Sequence, residues 1–407
     1  MKIAFLTLGC KLNYAETSTY ERGFVRAGHE VVGWHDKADI YLVNTCSVTQ
    51  MSDAKSRNLI RKVHRINPSA SIIVTGCSAQ LRRSEIEAIE GVTRVFGCNE
   101  KHLVVPETLG LAANGTKTFP AYSTGERTRS FLKVQDGCNN YCAYCTVPYA
   151  RGESRNIPVR LAVEQAEAIA AEGVKEIVLT GVNTGDFGRT TGESFLDLLK
   201  ALNEVEGIER YRISSIEPNL ITEEIIDWIA SGTKFQPHFH IPLQTGSDDI
   251  LKRMGRHYDT AFFADRISYI RKAMEAPGRP KVFFGIDVMV GLPGETDGHF
   301  RRTFDFISAI RPAFIHVFPY SRRPGTPAAS FPDQVRDEVK TSRVAELEDL
   351  CGRLHSEFVD QNRGISEKVL FESTDRKGMM EGYTGNYIRV ERPYDPAQVG
   401  KLTDVVI

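Results

Sequence analysis

The chain carries the stretch Cys138-Asn139-Asn140-Tyr141-Cys142-Ala143-Tyr144-Cys145, which holds three cysteines in one short loop after Gly137. Three thiolates can bind three irons of a [4Fe–4S] cluster, which leaves the fourth iron open to another ligand. A zinc site would need four nitrogen or sulfur ligands, usually from CxxC pairs, and no second pair follows. The loop therefore favours an iron–sulfur cluster with one open iron over a zinc knuckle or buried thiols. These three residues are called the radical-loop cysteines below.

Composition sets broad limits. The chain has 407 residues, of which 41% are hydrophobic, and a net charge of −1. The length predicts two or three domains, and the charge does not indicate a nucleic-acid binder. A strand-like segment follows Met1 without the features of a signal peptide, and no apolar run is long enough to span a membrane. We therefore expect a cytoplasmic protein whose eight cysteines serve metal binding or catalysis.

Alternating segments predict an α/β protein of three domains, covering residues 1–125, 126–363 and 364–407. Apolar strands separated by helices in the first domain indicate an open parallel sheet. These strands are predicted at 2–8, 39–43, 71–75 and 93–96. Residues 106–126 are rich in Gly, Thr and Ala, and are interpreted as a linker.

Six β/α units in the second domain indicate a partial (β/α)6 barrel, a fold in which sites lie at the C-terminal ends of the strands. The strands are predicted at 131–135, 176–180, 210–214, 238–241, 282–290 and 314–318. The third domain has short strands with turn residues, which predict a small β module. Its removal is expected to weaken partner binding and to spare every proposed ligand, since those ligands all precede it.

A second set of cysteines follows three strands of the first domain. Cys10, Cys46 and Cys77 each lie just past the C-terminal end of a predicted strand. Those ends meet at one edge of an open parallel sheet, where ligands bind. Cysteine is also often simply buried, but three similar placements favour a common site. These three residues are called the auxiliary cysteines below, and Cys98, which follows the fourth strand, is interpreted as a loop-filling residue.

Four segments occur in the order of a known family: Thr7-Leu8-Gly9-Cys10-Lys11-Leu12-Asn13, Asn44-Thr45-Cys46-Ser47-Val48-Thr49, Thr75-Gly76-Cys77 and the CxxxCxxC loop. In them the chain resembles the methylthiotransferase family of radical S-adenosylmethionine (SAM) enzymes over nearly its whole length. The resemblance implies a methylthiotransferase domain, a radical SAM domain and a TRAM domain. It also implies two [4Fe–4S] clusters. Cys138, Cys142 and Cys145 would bind the cluster that cleaves SAM, and Cys10, Cys46 and Cys77 an auxiliary cluster that carries the transferred sulfur.

The opening Cys10-Lys11-Leu12-Asn13 resembles one branch of this family, which methylthiolates C2 of N6-threonylcarbamoyladenosine beside the anticodon of tRNA. Another branch acts on N6-isopentenyladenosine and more often has Gly-Cys-Gln-Met-Asn here. A third branch modifies an aspartate of a ribosomal protein, and both remain alternatives. The resemblance further implies tRNA as a partner, an electron donor such as flavodoxin or ferredoxin, and a sulfur source. No acid or base residue is essential to the family's reaction, so no catalytic residue is assigned.

Six further positions are candidates for SAM binding, because they lie in the cysteine loop or at strand ends: Tyr144, Gly181, Ser215, Glu217, Gln244 and Gly291. Ordinary loop packing, a helix-start carboxylate and turn glycines are the alternative interpretations. Arg151 and Arg155 are expected to face the negative charge of SAM or of RNA. A basic stripe either follows tRNA phosphates or is merely solvated. It consists of Lys55, Arg57, Arg61, Lys62 and Arg65.

Overall fold

The computed structural model describes residues 1–112, 119–125 and 128–407, apart from the side chains of 374–376. Part of the predicted linker and the predicted boundary between residues 125 and 126 lie outside these residues. Among the described residues, no helix combines the length and the apolar character needed to cross a membrane.

The N-terminal part is a five-stranded parallel sheet in the order β2-β1-β3-β4-β5. Its central strand is apolar apart from its last two residues and is buried along its whole length, as expected for a parallel strand covered on both faces. The elements are β1 (Lys2–Thr7), α1 (Lys11–Arg26), β2 (Glu30–Val32), β3 (Ile40–Thr45), α2 (Gln50–Ile66), β4 (Ser71–Gly76), α3 (Cys77–Leu81), α4 (Arg83–Glu87), β5 (Val92–Phe96) and α5 (Val104–Thr108).

The central part opens with an antiparallel edge strand and the first barrel strand. A two-stranded antiparallel pair follows, and the cysteine loop and one helix lie between its two strands. These are β6 (Ala121–Tyr122), β7 (Arg129–Lys133), β8 (Gln135–Asp136), α6 (Val147–Arg151) and β9 (Arg155–Asn156). Helices and strands then alternate: α7 (Val159–Ala171), β10 (Glu176–Thr180), α8 (Phe195–Asn203), β11 (Arg210–Ile213), α9 (Glu223–Ala230), β12 (His238–Gln244), α10 (Asp248–Arg253), α11 (Thr260–Met274), β13 (Phe283–Val290), α12 (Asp297–Ile310), β14 (Phe314–Pro319) and α13 (Asp337–Gln361).

Six parallel strands of this part form a partial barrel in the order β7-β10-β11-β12-β13-β14. Two isolated bridges join β11 to the β12 side, at Tyr211 with Phe235 and at Ser215 with His240. The main hydrophobic core lies between this barrel and its outer helices. The predicted fold class is confirmed, including all six barrel strands.

The C-terminal part is a four-stranded antiparallel sheet in the order β17-β16-β15-β18. Its strands are β15 (Ser366–Arg376), β16 (Met379–Tyr383), β17 (Arg389–Pro393) and β18 (Leu402–Val406). Buried arginines tie it to the N-terminal ends of the barrel strands. Arg212 donates to the carbonyl oxygens of Gly385 and Thr384 at 2.6 and 2.7 Å, and Arg210 donates to that of Lys368 at 3.1 Å. The sheet therefore closes the floor of the barrel.

Two sequence predictions need correction. The segment 106–126 is not only a linker, because α5 ends inside it and β6 pairs with β7. The pattern at 82–90 predicts one helix, whereas in the structure α4 covers only Arg83–Glu87 of this range and a separate helix, α3, ends just before Arg82. Both differences arise where short elements rest on neighbours distant in sequence, which local periodicity does not encode.

Candidate active site

The radical-loop cysteines converge in space, and each sulfur accepts a hydrogen bond. The backbone NH of Asn140 lies 3.5 Å from Cys138 Sγ, and that of Val147 lies 3.4 Å from Cys145 Sγ. Burial, together with a smaller effect of the two neighbouring thiols, raises the pKa of Cys145 to about 12. Three convergent sulfurs with N–H donors suit thiolates bound to an iron–sulfur cluster. The donor set therefore fits a cluster with three protein ligands.

Arg256 links the radical loop to the end of β11. Its guanidinium donates to Cys142 Sγ at 3.2 Å and to Tyr144 Oη at 3.3 Å. The same group pairs with both carboxylate oxygens of Glu217 at 2.6 Å. Two SAM candidates, Tyr144 and Glu217, are thus brought together beside a cluster ligand. Sequence analysis missed Arg256, because it lies in a turn more than a hundred residues from the loop.

The auxiliary cysteines meet at the C-terminal edge of the first sheet, at the ends of β1, β3 and β4. The glycine before Cys10 has φ +108°, and a Cβ there would lie 3.0 Å from Cys46 Sγ. Gly76 has φ +101°, and a Cβ there would lie 2.3 Å from the Thr45 carbonyl oxygen. Only glycine permits this backbone and this approach. Burial raises the pKa of Cys46 to about 11, and its neighbours Cys77 and Cys10 add to the effect. This donor set also fits three thiolates at one cluster.

Cys98 lies beside the auxiliary cysteines. A hydrogen bond from its thiol is the main cause that lowers the pKa of Cys77 to about 6, and the Cys98 thiol itself is buried. The structure therefore places it nearer to the site than a loop-filling role requires. Its dispensability for cluster binding stays a prediction.

Asn13 and Arg151 join the two cysteine sites. The Asn13 amide donates to the carbonyl oxygens of Leu8 and Thr45 at 2.7 and 3.1 Å, and thereby ties the Cys10 and Cys46 loops together. Its Oδ1 accepts from Arg151 Nη2 at 2.6 Å. Arg151 ends α6, directly after the radical loop, and is buried. The relative position of the two cysteine sites is thus fixed by side chains.

Two buried carboxylates and three buried cations surround this junction. Glu16 accepts from Lys101 at 2.6 Å and from Lys133 at 2.7 Å. Asp136 accepts from Lys133 at 2.7 Å and from Arg151 at 2.8 Å. Cations exceed carboxylates by one in this group, which offsets the negative charge of clusters held by thiolates. Arg155 also pairs with Asp136 at 3.2 Å, so both arginines form ion pairs, and Arg151 in addition lines the cavity described next.

The lumen of the partial barrel is a cavity of about 1420 Å³. The auxiliary cysteines line it on one side, and Val147 and Arg151, which follow the radical loop, line it on another. Tyr383, Tyr387 and Arg389 of the C-terminal sheet form its floor. The auxiliary cysteines and the residues that follow the radical loop thus border one space large enough for a nucleoside.

Three polar residues project into the cavity from β12, β13 and β14. His240 Nε2 lies 2.8 Å from Asp287 Oδ1, and the His240 and His316 rings stack with centroids 5.1 Å apart. Their ligand atoms all lie within 4.8 Å of one another. Burial lowers the pKa of His316, and His240 lowers it further. The two rings and the carboxylate offer hydrogen-bonding groups to a bound molecule.

The other SAM candidates divide into two groups. Gly181 and Ser215 line the cavity. A Cβ at Gly181 would meet Gln135 Oε1 at 2.9 Å, and that oxygen accepts from the backbone of Val182, so this glycine also has a packing role. Gln244 and Gly291 are not among the described residues that line the cavity. Gln244 has φ +69° at a bulge, which indicates strain at a strand end.

The position of Gly291 is explained by packing, because a Cβ there would lie 2.3 Å from Lys340 Cγ in α13. In the basic stripe, four side chains are exposed and Arg57 is half-buried, 4.0 Å from Glu85. Lys62 also lies over the Trp34 ring at 4.6 Å. The stripe is available to a polyanion, and its role stays a prediction.

Two family models match the chain. One is described as "Radical SAM superfamily" and matches residues 132–307, and the other as "Uncharacterized protein family UPF0004" and matches residues 2–97. Among solved structures, the chain resembles the radical S-adenosylmethionine methyltransferase TsrM of Kitasatospora setae, with a TM-score of 0.61 at 14% identity. That match covers 92% of this chain and 79% of the other, and it shows the fold alone.

Curated relatives match over the full length. The chain is 40% identical to "Threonylcarbamoyladenosine tRNA methylthiotransferase MtaB" of Bacillus subtilis, across all of this chain and 93% of that protein. It is 35% identical to the protein of the same name from Aquifex aeolicus, across all of both. It is 32% identical to "tRNA-2-methylthio-N(6)-dimethylallyladenosine synthase" of Pelotomaculum thermopropionicum, across all of this chain and 95% of that protein. The chain therefore belongs to the radical SAM methylthiotransferase family.

Proposed function

We propose that this protein replaces the C2 hydrogen of N6-threonylcarbamoyladenosine in tRNA with a methylthio group. The observation that carries the proposal is that the auxiliary cysteines lie in the wall of the barrel cavity, while Val147 and Arg151, which follow the radical loop, line the same cavity. The two relatives described above that are named for this substrate are 35–40% identical to the chain, and the one described above that is named for the dimethylallyl substrate is 32% identical. Methylthiolation of isopentenyladenosine is the second candidate, and modification of a ribosomal-protein aspartate is less favoured.

The cofactors are two [4Fe–4S] clusters and SAM. When bound, they supply the radical that removes the C2 hydrogen and the sulfur that replaces it. The radical-loop cysteines hold the first cluster, and the auxiliary cysteines hold the second. Arg256 orients Cys142 and Glu217 for SAM binding beside the first cluster. Asn13 and Arg151 fix the second cluster's loops relative to the first.

The barrel cavity would hold the substrate during the radical reaction. A carbon radical reacts with water-borne and protein groups unless its target is held in contact and solvent is excluded. Tyr383 and Tyr387 line the floor of the lumen, and aromatic faces can stack on a base. The C-terminal sheet, covering residues 364–407, is proposed as a TRAM domain that binds tRNA. The proposal includes a methylthiotransferase domain at 1–125 and a radical SAM domain at 126–363. It also includes a cytoplasmic location, an electron donor such as flavodoxin or ferredoxin, and a sulfur source.

The decisive experiment compares two tRNA substrates. Anaerobically reconstituted enzyme is incubated with SAM, sulfide and a reductant, and with tRNA carrying either threonylcarbamoyladenosine or isopentenyladenosine. Digested nucleosides are then measured by mass spectrometry. We expect the methylthio product from the first substrate at a rate at least tenfold higher. Preferential product from isopentenyladenosine would instead establish the second candidate, and SAM cleavage without either product would favour the ribosomal-protein branch.

A further inference from the structure

Five cationic side chains line the barrel cavity, and four of them are paired with carboxylates. The pairs are Arg129 with Glu372, Arg151 with Asp136, Arg212 with Glu176 and Arg389 with Glu381. The fifth cation is Lys11, whose ammonium has no ion-pair partner in the part of the chain that the structure describes. An unpaired cation that faces a binding cavity can form a charge-assisted hydrogen bond with an anionic ligand.

The Lys11 side chain is exposed, and it lines the wall of the cavity. It interacts electrostatically with Arg129 and Arg212, which repel it, and with Asp287, which attracts it. Asp287 is already engaged by His240 at 2.8 Å. The four arginines of the lining are already paired with carboxylates, so Lys11 is the cation that remains available to a ligand with negative charge.

Lys11 directly follows Cys10, the first auxiliary cysteine, and begins α1. The reacting C2 of the substrate adenine must approach this site. C2 and the N6-bearing carbon both flank N1, so an N6 substituent extends along the same edge of the base as C2. A group beside Cys10 is then well placed to meet that substituent. The threonylcarbamoyl group ends in a carboxylate, whereas an isopentenyl group has no charge.

We propose that Lys11 binds the side-chain carboxylate of the substrate nucleoside, and that this contact determines which modified adenosine is accepted. The inference rests on the proposed function and deepens it. Backbone phosphates are present in every tRNA, so binding one would not distinguish the two nucleosides. The side-chain carboxylate is the one anion that differs between the candidate substrates.

The test uses two anticodon stem-loop RNAs of identical sequence. One carries N6-threonylcarbamoyladenosine, and the other carries its neutral carboxamide, in which an amide replaces the carboxylate. We expect the reconstituted wild-type enzyme to favour the carboxylate in kcat/KM by about 10- to 100-fold, the usual range for one charged hydrogen bond. The preference should lie mainly in KM. A wild-type ratio near one would overturn the proposal without any variant.

Three variants complete the test. Lys11→Met keeps the aliphatic stem and removes the charge, so its carboxylate-to-amide ratio should fall close to one. Lys11→Arg keeps the charge and should restore most of the preference. Lys200→Met, at an exposed position in α8, is the matched control and should behave as wild type. A Lys11→Met enzyme that keeps the wild-type ratio would refute the assignment.

Two measurements separate this inference from other failures. Iron content and SAM cleavage report whether both clusters survive in each variant. If Lys11→Met loses iron, a wild-type ratio near one would still overturn the proposal. If the wild type acts on isopentenyladenosine and not on threonylcarbamoyladenosine, the proposed function fails first, and the Lys11 assignment falls with it.

Discussion

Replacement of Glu16 by Gln should destabilise the N-terminal part, because three buried cations share this carboxylate. Burial acts to raise the pKa of Glu16, but Lys101, Lys133 and Arg151 together lower it from 4.5 to about 2. That difference corresponds to about 3 kcal/mol of stability at neutral pH. Removal of one partner of a buried ion pair typically costs a similar 3–5 kcal/mol, so two independent routes agree.

The measurement is urea unfolding under anaerobic, reducing conditions in a Trp228→Phe background, where Trp34 is the only tryptophan and packs on the N-terminal core. Glu30→Gln, an exposed change in β2, is the control and should cost little. The folded pKa lies below the unfolded one, so the stabilisation is complete above about pH 4.5 and disappears as the pH falls toward 2. The difference between wild type and Glu16→Gln should therefore shrink at low pH. A cost below about 1 kcal/mol at neutral pH, within typical surface-mutation scatter, would refute the reasoning.

Further predictions address the clusters and the RNA. Alanine at all three radical-loop cysteines should halve an iron content of about eight per chain and abolish SAM cleavage, whereas alanine at the auxiliary cysteines should halve the iron content but spare cleavage. Iron analysis measures the cluster content, and release of 5′-deoxyadenosine measures SAM cleavage. If the second variant still held two clusters, the auxiliary site would have been assigned to the wrong residues. Cys98→Ala should keep iron content and product formation, and loss of the auxiliary spectrum would show that Cys98 supports it. Arg256→Met removes a hydrogen bond to Cys142 Sγ and should lower the first cluster's reduction potential in an EPR titration, with an unchanged potential as the contrary result. Glutamine at the four exposed residues of the basic stripe should flatten the slope of log K against log salt by about three, and an unchanged slope would remove the stripe from the RNA interface.

Sequence was sufficient for the architecture because the pattern there is local. Strand-like segments of four to nine residues identified every barrel strand to within a few residues. The shared position of Cys10, Cys46 and Cys77 after such strands then placed three thiols at one sheet edge. The C-terminal ends of parallel strands meet at one edge of a sheet, so residues that are far apart in sequence lie close together there.

The contacts around the cysteines could not be read in the same way. Glu16, Lys101 and Lys133 meet although they are separated by 85 and 117 positions. Each residue alone resembles an ordinary helix or strand charge, and only burial reveals the network. Arg151 was expected to face SAM or phosphate, but it instead contacts Asn13 and Asp136. Asn13 did carry a signal, because it lies three residues after Cys10 on a helix and so faces the same loop.

The C-terminal sheet changes how the tail must be understood. An appended RNA-binding module could be removed without effect on the barrel, which was the expectation from sequence. In the structure, Arg210 and Arg212 are buried between Glu176 on one side and carbonyl oxygens of the tail on the other. Truncation after residue 363 would remove those acceptors and leave buried donors without partners, which costs about 1–3 kcal/mol for each group. It would also open the cavity floor. Loss of tRNA binding on truncation is therefore not evidence for RNA contacts in the tail unless SAM cleavage, measured in the same preparation, is unchanged.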